Sequence, residues 1–526
     1  MLVPVDKSRF DPHFYQFLPD YSYGGRSSRV EELLRQNISP HDFEKISLRE
    51  TLARGKDHVQ LLQEKVAATR ILLEYLEAEE ERTLSIVSDA RALLHPLRDI
   101  PDEILREIFV VAVMAEDDGG IGLDTDLLDT RKAAWTLSHV CHQWRAVALT
   151  SQGLWSDIHL SFMPQNSYRQ RLRERAWMLG VVLDRSRSQN LSVTIISDDD
   201  LSSDPLWLML IPTAPRWKRA HLELPFSTFQ SLSGCKAFFS RLTRLDIYSD
   251  PPEEDNFQIL DPFSIAPRLT TLEMKAQESD LYDIPYHKIT AFITSDQMND
   301  DHLRLLAGMP NLEGLILHHG ASSSQALTSA SVTLANVVVF ELGEASEPEG
   351  QGSATQLLTH LLLPSLQALS LILNSEMSPV FPNNFPYAGT ITFLSLRFSL
   401  LVPEDTKSLE TFLRRLPKVT ALKIRSQNLP ASFFDMLTIS ADKEPVLPSL
   451  IHLDLGRCTL SDDSSRLKID VVILSRQNHC ARCTSLEEVI WDGNTIGSKA
   501  PMYRWPMSLT KRLRMSEDYE IAMPWQ

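Results

Sequence analysis

The sequence contains few of the features that would place it in several large classes of protein. Cysteine accounts for only 5 of its 526 residues, an odd and scattered set that cannot form a disulfide framework and fits a reducing compartment. No apolar run approaches the ~20 residues that a membrane-spanning helix needs. The first residues, Met1 to Phe17, lack the basic start and apolar core of a secretory signal. We therefore expect a cytoplasmic or nuclear protein with no membrane partner.

Positive charge is also scarce. The chain has 52 Lys and Arg against 69 Asp and Glu, a net charge of −17. A protein that holds nucleic acid mainly through phosphate contacts needs a positive surface, so we expect no nucleic-acid partner. The densest basic run, Arg169 to Trp177, is more simply explained as the solvated face of a helix.

Signatures of catalysis are equally scarce. The chain has no glycine-rich dinucleotide motif, no Walker phosphate loop and no Gly-x-Ser-x-Gly nucleophile elbow. Cys480 and Cys483, which follow His479, have the spacing of half a zinc site, but no second cysteine pair supplies the remaining ligands. We therefore expect no catalytic residue, no metal and no cofactor, and a protein that is not an enzyme.

What the chain does have begins with a long heptad pattern. Residues 1–42 show no sustained period and are predicted to form a mobile tail, whereas residues 43–95 are predicted to form one long helix with a coiled-coil seam. One seam position is occupied by Leu52, Val59, Val66, Leu73, Val87 and Leu94, with a polar break at Glu80. The companion position includes Leu48, Leu62 and Leu76. A dimer through residues 43–94 and a helix folded back on its own chain are equally compatible with this seam.

Two short amphipathic blocks follow. Ile100 to Phe109 begins with Pro101, which suits a first helical turn, and continues with two acidic residues at the positive end of the helix dipole. Leu137 to Leu149 is predicted to form a second helix, and Gly153-Leu154-Trp155 closes the unit. Two such helices cannot bury both apolar faces against each other, so part of their surface is expected to meet a partner.

These blocks resemble an F-box domain, whose pattern is Leu-Pro-x-Glu-Ile-Leu-x-x-Ile-Phe, then Val-Cys-x-x-Trp-Arg, then Leu-Trp. The resemblance covers about Leu97 to Ile158, with Ile100 in place of the first Leu. It departs from the family in an acidic insert, Ala115 to Asp129, which we expect to loop out, although it could also obstruct or remodel the partner surface. The resemblance implies that the following residues bind the small adaptor subunit of a Skp–cullin–F-box ubiquitin ligase or support the helices that do: Pro101, Ile104, Leu105, Ile108, Phe109, Val140, Cys141 and Trp144.

Beyond residue 161 one spacing recurs, apolar-x-x-apolar-x-apolar. Nine clear copies start at Leu242, Leu269, Leu312, Val337, Leu366, Ile391, Val419, Leu450 and Leu486, and weaker ones at Trp217 and Ile289. The copies lie about 20–36 residues apart, near or above the leucine-rich-repeat range of ~20–29. Each predicts a strand with a helical or irregular return, stacked on its neighbours into a parallel sheet whose outward positions are open to a partner. Unrelated strands of an α/β enzyme are the less favoured alternative.

The sequence thus predicts an α/β protein: a tail (1–42), a long helix (43–95), an F-box-like helical domain (96–160), an irregular leucine-rich-repeat solenoid with a curved parallel sheet (161–510) and a C-terminal tail (511–526). The combination resembles the large F-box families of mushroom-forming fungi. That resemblance implies a substrate-recognition subunit whose repeats hold an unknown protein substrate. The alternative is a non-catalytic repeat scaffold whose F-box-like helices only cap the solenoid.

Overall fold

The chain forms two compact units, Met1–Ile100 and Pro101–Gln526. The second unit contains both the short helices that follow Pro101 and the large sheet. A computed structural model describes residues 28–117, 126–162, 172–250, 258–295, 300–318, 331–344, 353–373, 379–382, 387–440, 443–456, 458, 463–478, 483–491 and 494–497. The predicted C-terminal tail at 511–526 lies outside these ranges.

The first unit is dominated by one long helix, as the heptad pattern predicted. After helix α1 (Ser28–Gln36), helix α2 runs over Asp42–Leu93. The Glu44 carboxylate accepts a hydrogen bond from the backbone N–H of His41 (2.7 Å), which satisfies a donor at the N-terminus of the helix. At the other end the helix stops before Pro96, which cannot continue it. No side chain of α2 is buried.

Helix α1 is a departure from the prediction of a tail over residues 1–42. Leu33 is buried, and the Arg29 guanidinium lies 3.0 Å from the Glu44 carboxylate of α2. Val30, Leu33 and Leu34 lie on one face of this helix but span only about one and a half turns. A segment this short does not show a recognisable helical period in the sequence. Residues 1–27 lie outside the described part of the chain.

The second unit begins with three helices: α3 (Asp102–Asp117), α4 (Ala133–Leu137) and α5 (His142–Thr150). The prediction of a single helix over 137–149 was wrong, because the chain turns between Leu137 and His142. Cys141 has extended backbone angles (φ −155°, ψ 174°), and its Sγ accepts a hydrogen bond from the N–H of Trp144 at 3.5 Å. Cys141 is therefore the N-cap of α5 and not a member of a continuous helix.

The rest of the second unit is built on one large open sheet. Its strands are β1 (Asp157–Ser161), β2 (Leu191–Ile196), β3 (Trp217–Glu223), β4 (Arg244–Tyr248), β5 (Thr271–Met274), β6 (Ala291–Thr294), β7 (Gly314–Leu317), β9 (Val339–Gly343), β11 (Ala368–Ile372), β12 (Phe393–Arg397), β13 (Ala421–Arg425), β14 (His452–Leu455), β15 (Glu488–Trp491) and β16 (Asn494–Gly497). Strands β8 (Val332–Thr333) and β10 (Leu361–Leu362) form a separate parallel pair.

Each strand of the large sheet pairs with the next one along the chain. Thirteen described strands run parallel, and β16 is added antiparallel to β15. Helices follow most strands: α6 (Leu172–Ser186), α7 (Pro205–Leu210), α8 (Phe226–Gln230), α9 (Asp300–Ala307), α10 (Ser353–His360), α11 (Thr406–Arg414), α12 (Ala431–Leu437) and α13 (Asp463–Asn478). A chain-order parallel sheet with returning helices confirms the α/β class.

Every copy of the recurring spacing lies at a strand. In all but the Trp217 copy the strand begins two residues after the first apolar position, as in Leu242 before β4 or Leu450 before β14. The middle apolar residues pair across neighbouring strands, for example Leu369 with Phe340 and Leu394. Stacking of equivalent leucines from strand to strand makes the continuous core that isolated repeats could not form.

Candidate partner-binding surfaces

Helix α3 carries two apolar stripes with opposite environments. Leu105 and Phe109 are completely buried (0% exposed), whereas Ile104, Ile108 and Val111 are 53%, 43% and 65% exposed. Residues spaced by three and four positions share a helix face, so the exposed three form one continuous stripe. We refer to Ile104, Ile108 and Val111 as the exposed α3 stripe.

The buried stripe holds the three helices together. The Phe109 ring packs on the Trp144 ring of α5, with centroids 5.1 Å apart and planes tilted by 58°. Helix α3 also contacts α4 and the short 3-10 helix Gln152–Trp155. Leu105 and Phe109 therefore stabilise the helical part and are not accessible to a partner.

One end of the exposed α3 stripe lies beside the start of α5. The Gln143 side chain donates a hydrogen bond to the Asp102 carboxylate at 3.0 Å, which fixes the first turn of α3 against α5. Val140, three residues before Gln143, is 60% exposed, and Cys141 and Pro101 are also exposed. The start of α3 and the start of α5 therefore both expose apolar side chains to water, and exposed apolar patches often mark binding sites.

The structure thus sorts the predicted partner-binding residues into two groups. Pro101, Ile104, Ile108, Val140 and Cys141 are exposed, Leu105 and Phe109 are buried, and Trp144 is half-buried against Phe109. Val111 belongs to the exposed stripe but was not among the predicted residues. Its spacing, seven residues after Ile104, is the signal that could have identified it.

The acidic insert does not loop out over its whole length. Ala115 and its neighbours continue α3 to Asp117, and residues 118–125 lie outside the described ranges. From Asp126 the insert is anchored: the Leu127 N–H donates to the carbonyl of His159 in β1 (3.0 Å), and the Trp135 indole donates to the Leu127 carbonyl (2.8 Å). The end of the insert is therefore bonded to the edge strand β1 of the sheet.

An ion pair fastens the same segment. Arg175 of α6 pairs with the Asp126 carboxylate, with both side chains largely buried. Burial raises the pKa of Asp126, although the Arg175 charge opposes that shift. Arg175 lies in the basic run that the sequence suggested was a solvated face, so this part of the run has a structural partner.

Two tryptophans seal the helical part against α6. The Trp135 and Trp155 rings meet edge to face at 5.1 Å, and the Arg185 guanidinium lies over both rings, 5.0 and 4.3 Å from their centroids. The Trp155 indole donates to the Ala148 carbonyl at 2.8 Å. Trp155 is completely buried, so its role is to hold α5 and the start of the sheet together.

The outward face of the sheet is less open than the repeats predicted. At the centre, the positions that alternate with the core leucines are themselves buried: Ala291, Ile293, Ile316, Val339, Ala368, Phe393 and Ala421. At these positions both faces of the strands are therefore apolar and buried, as is common in parallel sheets. Other outward positions keep partial exposure, including positions on central strands such as Glu341 of β9 and Arg397 of β12.

The first flank carries a charged network on β3, β4 and β5. The Arg244 guanidinium lies 2.9 Å from the Asp246 carboxylate and 2.5 Å from that of Glu273, which also accepts a hydrogen bond from the Tyr248 hydroxyl (2.5 Å). His221 lies 3.5 Å from Asp246. Burial opposes ionisation of Asp246, but hydrogen bonding to His221 and the charge of Arg244 lower its pKa overall. Burial and the Asp246 carboxylate raise the pKa of Glu273.

The second flank has its own charged residues on β13, β14 and β15. Arg425 makes a two-pronged contact with the Asp454 carboxylate, at 3.2 and 3.3 Å, and His452 lies 3.5 Å from Glu488. Such forked guanidinium–carboxylate contacts fix side-chain orientation as well as charge. Most of these charged side chains are buried, among them Asp246, Glu273, Asp454 and Glu488, so the two groups are ion-pair networks within the sheet.

A polar groove of about 650 Å³ runs along the starts of β5, β6, β7 and β9. Asn311 donates to the His287 carbonyl (2.8 Å) and Asn336 to the Pro310 carbonyl (2.9 Å), each reaching back to the preceding repeat. These side chains satisfy backbone carbonyls between neighbouring repeats, so their role in the groove is structural.

The remaining sequence candidates are not brought together. No three His, Cys, Asp or Glu side chains of the described part are grouped as metal ligands. Cys483 is buried, and His479 and Cys480 lie outside the described ranges. Within those ranges no helix has both the length and the apolar character required to cross a membrane.

No protein-family model matches the chain, and a search of curated proteins finds no match either.

Proposed function

We propose that this chain is the substrate-recognition subunit of a Skp–cullin–F-box type ubiquitin ligase. In this proposal helices α3 to α5 form an F-box domain that binds the adaptor subunit, and the chain-order parallel sheet is a leucine-rich-repeat solenoid that holds a substrate protein. The observation that carries the proposal is the exposed α3 stripe, which lies on the same helix as a completely buried stripe.

The stripe favours a binding role for a physical reason. Exposed apolar side chains gain about 25 cal/mol for each Å² removed from water. A few buried apolar anchors usually supply most of the affinity of an interface. Ile104, Ile108 and Val111 provide such anchors in one row, and Val140 adds another beside the first turn of α3. Leu105 and Phe109 hold the row in place from behind.

The chain itself catalyses nothing under this proposal. Its contribution is proximity, because holding a substrate beside an activated ubiquitin raises the effective concentration of the substrate's lysines. We assign the substrate to the outward face of the sheet, where partly exposed charged side chains such as Arg397 and Lys423 lie. Charged groups at an interface steer encounter and select between partners more than they add affinity, a property suited to a receptor for one protein among many.

The test is co-purification of the full chain with a Skp-type adaptor subunit. An Ile104→Asp, Ile108→Asp double variant is expected to lose the adaptor, because two charges would enter the apolar contact. Substitution of Leu105 or Phe109 would not test the contact, since both side chains are completely buried and their loss would unfold the helices.

A matched control is Leu208→Asp in α7, which also replaces a half-exposed apolar residue of the same unit (51% exposed). The control and the wild type are expected to bind the adaptor equally. Circular dichroism must show that all three proteins are folded. Equal binding by the double variant, or no binding by a folded wild type, would contradict the proposal.

A second candidate is a repeat scaffold in which the three helices only cap the sheet. The observation that favours it is the packing of Trp135, Trp155 and Arg185, which closes the first edge of the core as solenoid caps do. A cap requires the buried stripe but has no use for the exposed one. The same co-purification separates the two functions, because a cap predicts that the folded wild type does not bind the adaptor.

A further inference from the structure

Helix α2 carries an apolar seam although none of its side chains is buried. Its heptad residues remain largely in water: Leu52, Val59, Val66, Leu73 and Leu76 are all between 50% and 58% exposed. The helix has 52 residues, about 78 Å at 1.5 Å per residue. A single helix with such a seam is not expected to be stable in water without a partner, because amphipathic helices derive most of their stability from packing their apolar face.

The charges beside the seam are separated along the helix. Along the middle of the helix the flanking positions carry first basic residues and then acidic ones: Arg49, Lys56, Lys65 and Arg70, followed by Glu77 and Glu79. Toward the two ends the flanking charges are Asp42 and Glu44 at the start and Arg91 near the end. The stretch from Leu73 to Leu93 contains six acidic and two basic residues, whereas Asp42 to Leu72 contains five acidic and six basic residues. The flanking segment that contains Lys65 and Arg70 and the flanking segment that contains Glu77 and Glu79 are therefore opposite in charge.

We propose that a second copy of this chain covers the seam, and that the two α2 helices pair antiparallel. An in-register parallel pair would set Lys65 of one helix against Arg70 of the other at the flanking positions, and Glu80 against its own copy within the seam. An antiparallel pair instead brings Lys65 and Arg70 of each helix beside Glu79 and Glu77 of its partner and separates the two copies of Glu80. The occupant is thus argued from charge complementarity within one sequence, and it does not depend on the proposed ligase function.

The first experiment measures self-association of the full chain by analytical ultracentrifugation over a concentration series. The wild type is expected to form a dimer, and Leu73→Glu to associate at least about tenfold more weakly, because each pair of helices would bury unpaired charges. Ile71→Glu is the matched control, since Ile71 is 67% exposed and lies two residues away on the face opposite the seam. The control is expected to leave the dimer unchanged. A wild-type chain that is folded and monomeric throughout the series overturns the proposal.

The second experiment tests the orientation by charge reversal. Lys65→Glu with Arg70→Glu is expected to weaken an antiparallel dimer by about tenfold, since acidic flanks would then face acidic flanks. Adding Glu77→Lys and Glu79→Lys to the same chain is expected to restore association. In a parallel dimer the first pair of substitutions exchanges one like-charge contact for another, so association would not change. That result, with helicity preserved by circular dichroism, would overturn the antiparallel arrangement.

Discussion

The long helix and the large sheet solve the same problem, the covering of apolar residues, in different ways. Helix α2 satisfies its backbone within itself and buries no side chain. Each strand of the sheet is covered by its neighbours, and leucines such as Leu369 and Leu394 are completely inaccessible. A periodic pattern therefore reveals an apolar face, but the connectivity of the chain decides whether other residues of the same chain pack against that face.

The largest expected effect tests this contrast directly with one chemical change in two places. Leu394→Ala in β12 is expected to reduce the free energy of unfolding by about 2–5 kcal/mol, because it opens a cavity in a core that cannot collapse. Leu73→Ala in α2 is expected to change it by at most about 0.5 kcal/mol in dilute protein, where the seam is in water. Urea unfolding followed by circular dichroism at low concentration measures both.

The concentration dependence sharpens the same comparison. If α2 pairs with a second copy, the cost of Leu73→Ala grows as the wild-type protein is concentrated into the dimer, whereas the cost of Leu394→Ala does not. A large cost of Leu73→Ala in the dilute monomer would mean that α2 is covered within its own chain. That outcome would favour the fold-back alternative that the heptads left open.

Much of the fold could be predicted because the sequence pattern of each strand is local. Each apolar-x-x-apolar-x-apolar copy marks one strand, and the order of copies is the order of strands. Strand β1 has the same spacing at Trp155, Ile158 and Leu160, but those residues overlap the helical motif and were not read as a strand. Strand β2 alternates Leu191, Val193 and Ile195 without a leading apolar position. Both omissions arise where a second pattern hides the first or the full spacing is missing.

The surface of α3 could be predicted only in part. Ile104, Leu105, Ile108 and Phe109 are all apolar, so periodicity alone cannot tell which pair faces water. The answer depends on where Trp144 of α5 packs, and that depends on the turn at Cys141. The apolar spacing continues through the turn between α4 and α5. The sequence therefore predicted one helix, whereas the structure has a new helix that begins after the N-cap Cys141.

The stability of the sheet is also expected to depend on pH through His159 of β1. Burial, with a smaller contribution from the nearby His221, lowers the pKa of His159 in β1 to about 4, below the ~6.5 of an unfolded chain. Between these values the unfolded state binds more protons than the folded one, so stability is complete above about pH 6.5 and falls as the pH approaches 4. The expected loss from this residue is on the order of 2–3 kcal/mol by pH 4.

The measurement is the urea midpoint of the wild type and of His159→Gln between pH 7 and pH 5. A glutamine side chain at position 159 cannot titrate, so the stability of the variant is expected to fall less steeply as the pH is lowered. Carboxylates such as Asp246 lose their stabilising charge at still lower pH in both proteins, and the difference between the two curves isolates His159. Parallel curves would show that His159 does not remain neutral in the folded sheet.

The smallest effect concerns the side chains that join neighbouring repeats. Asn311→Ala removes the hydrogen bond to the His287 carbonyl (2.8 Å), and a loss of about 0.5–1.5 kcal/mol is expected. Asn311→Asp is the informative control, because it keeps the size of the side chain but removes the donor, so it should lose at least as much. A loss shared by both Asn311 variants, measured by urea unfolding, would show that repeat stacking is reinforced by polar contacts at the strand starts, and no loss in either would leave apolar stacking to account for it.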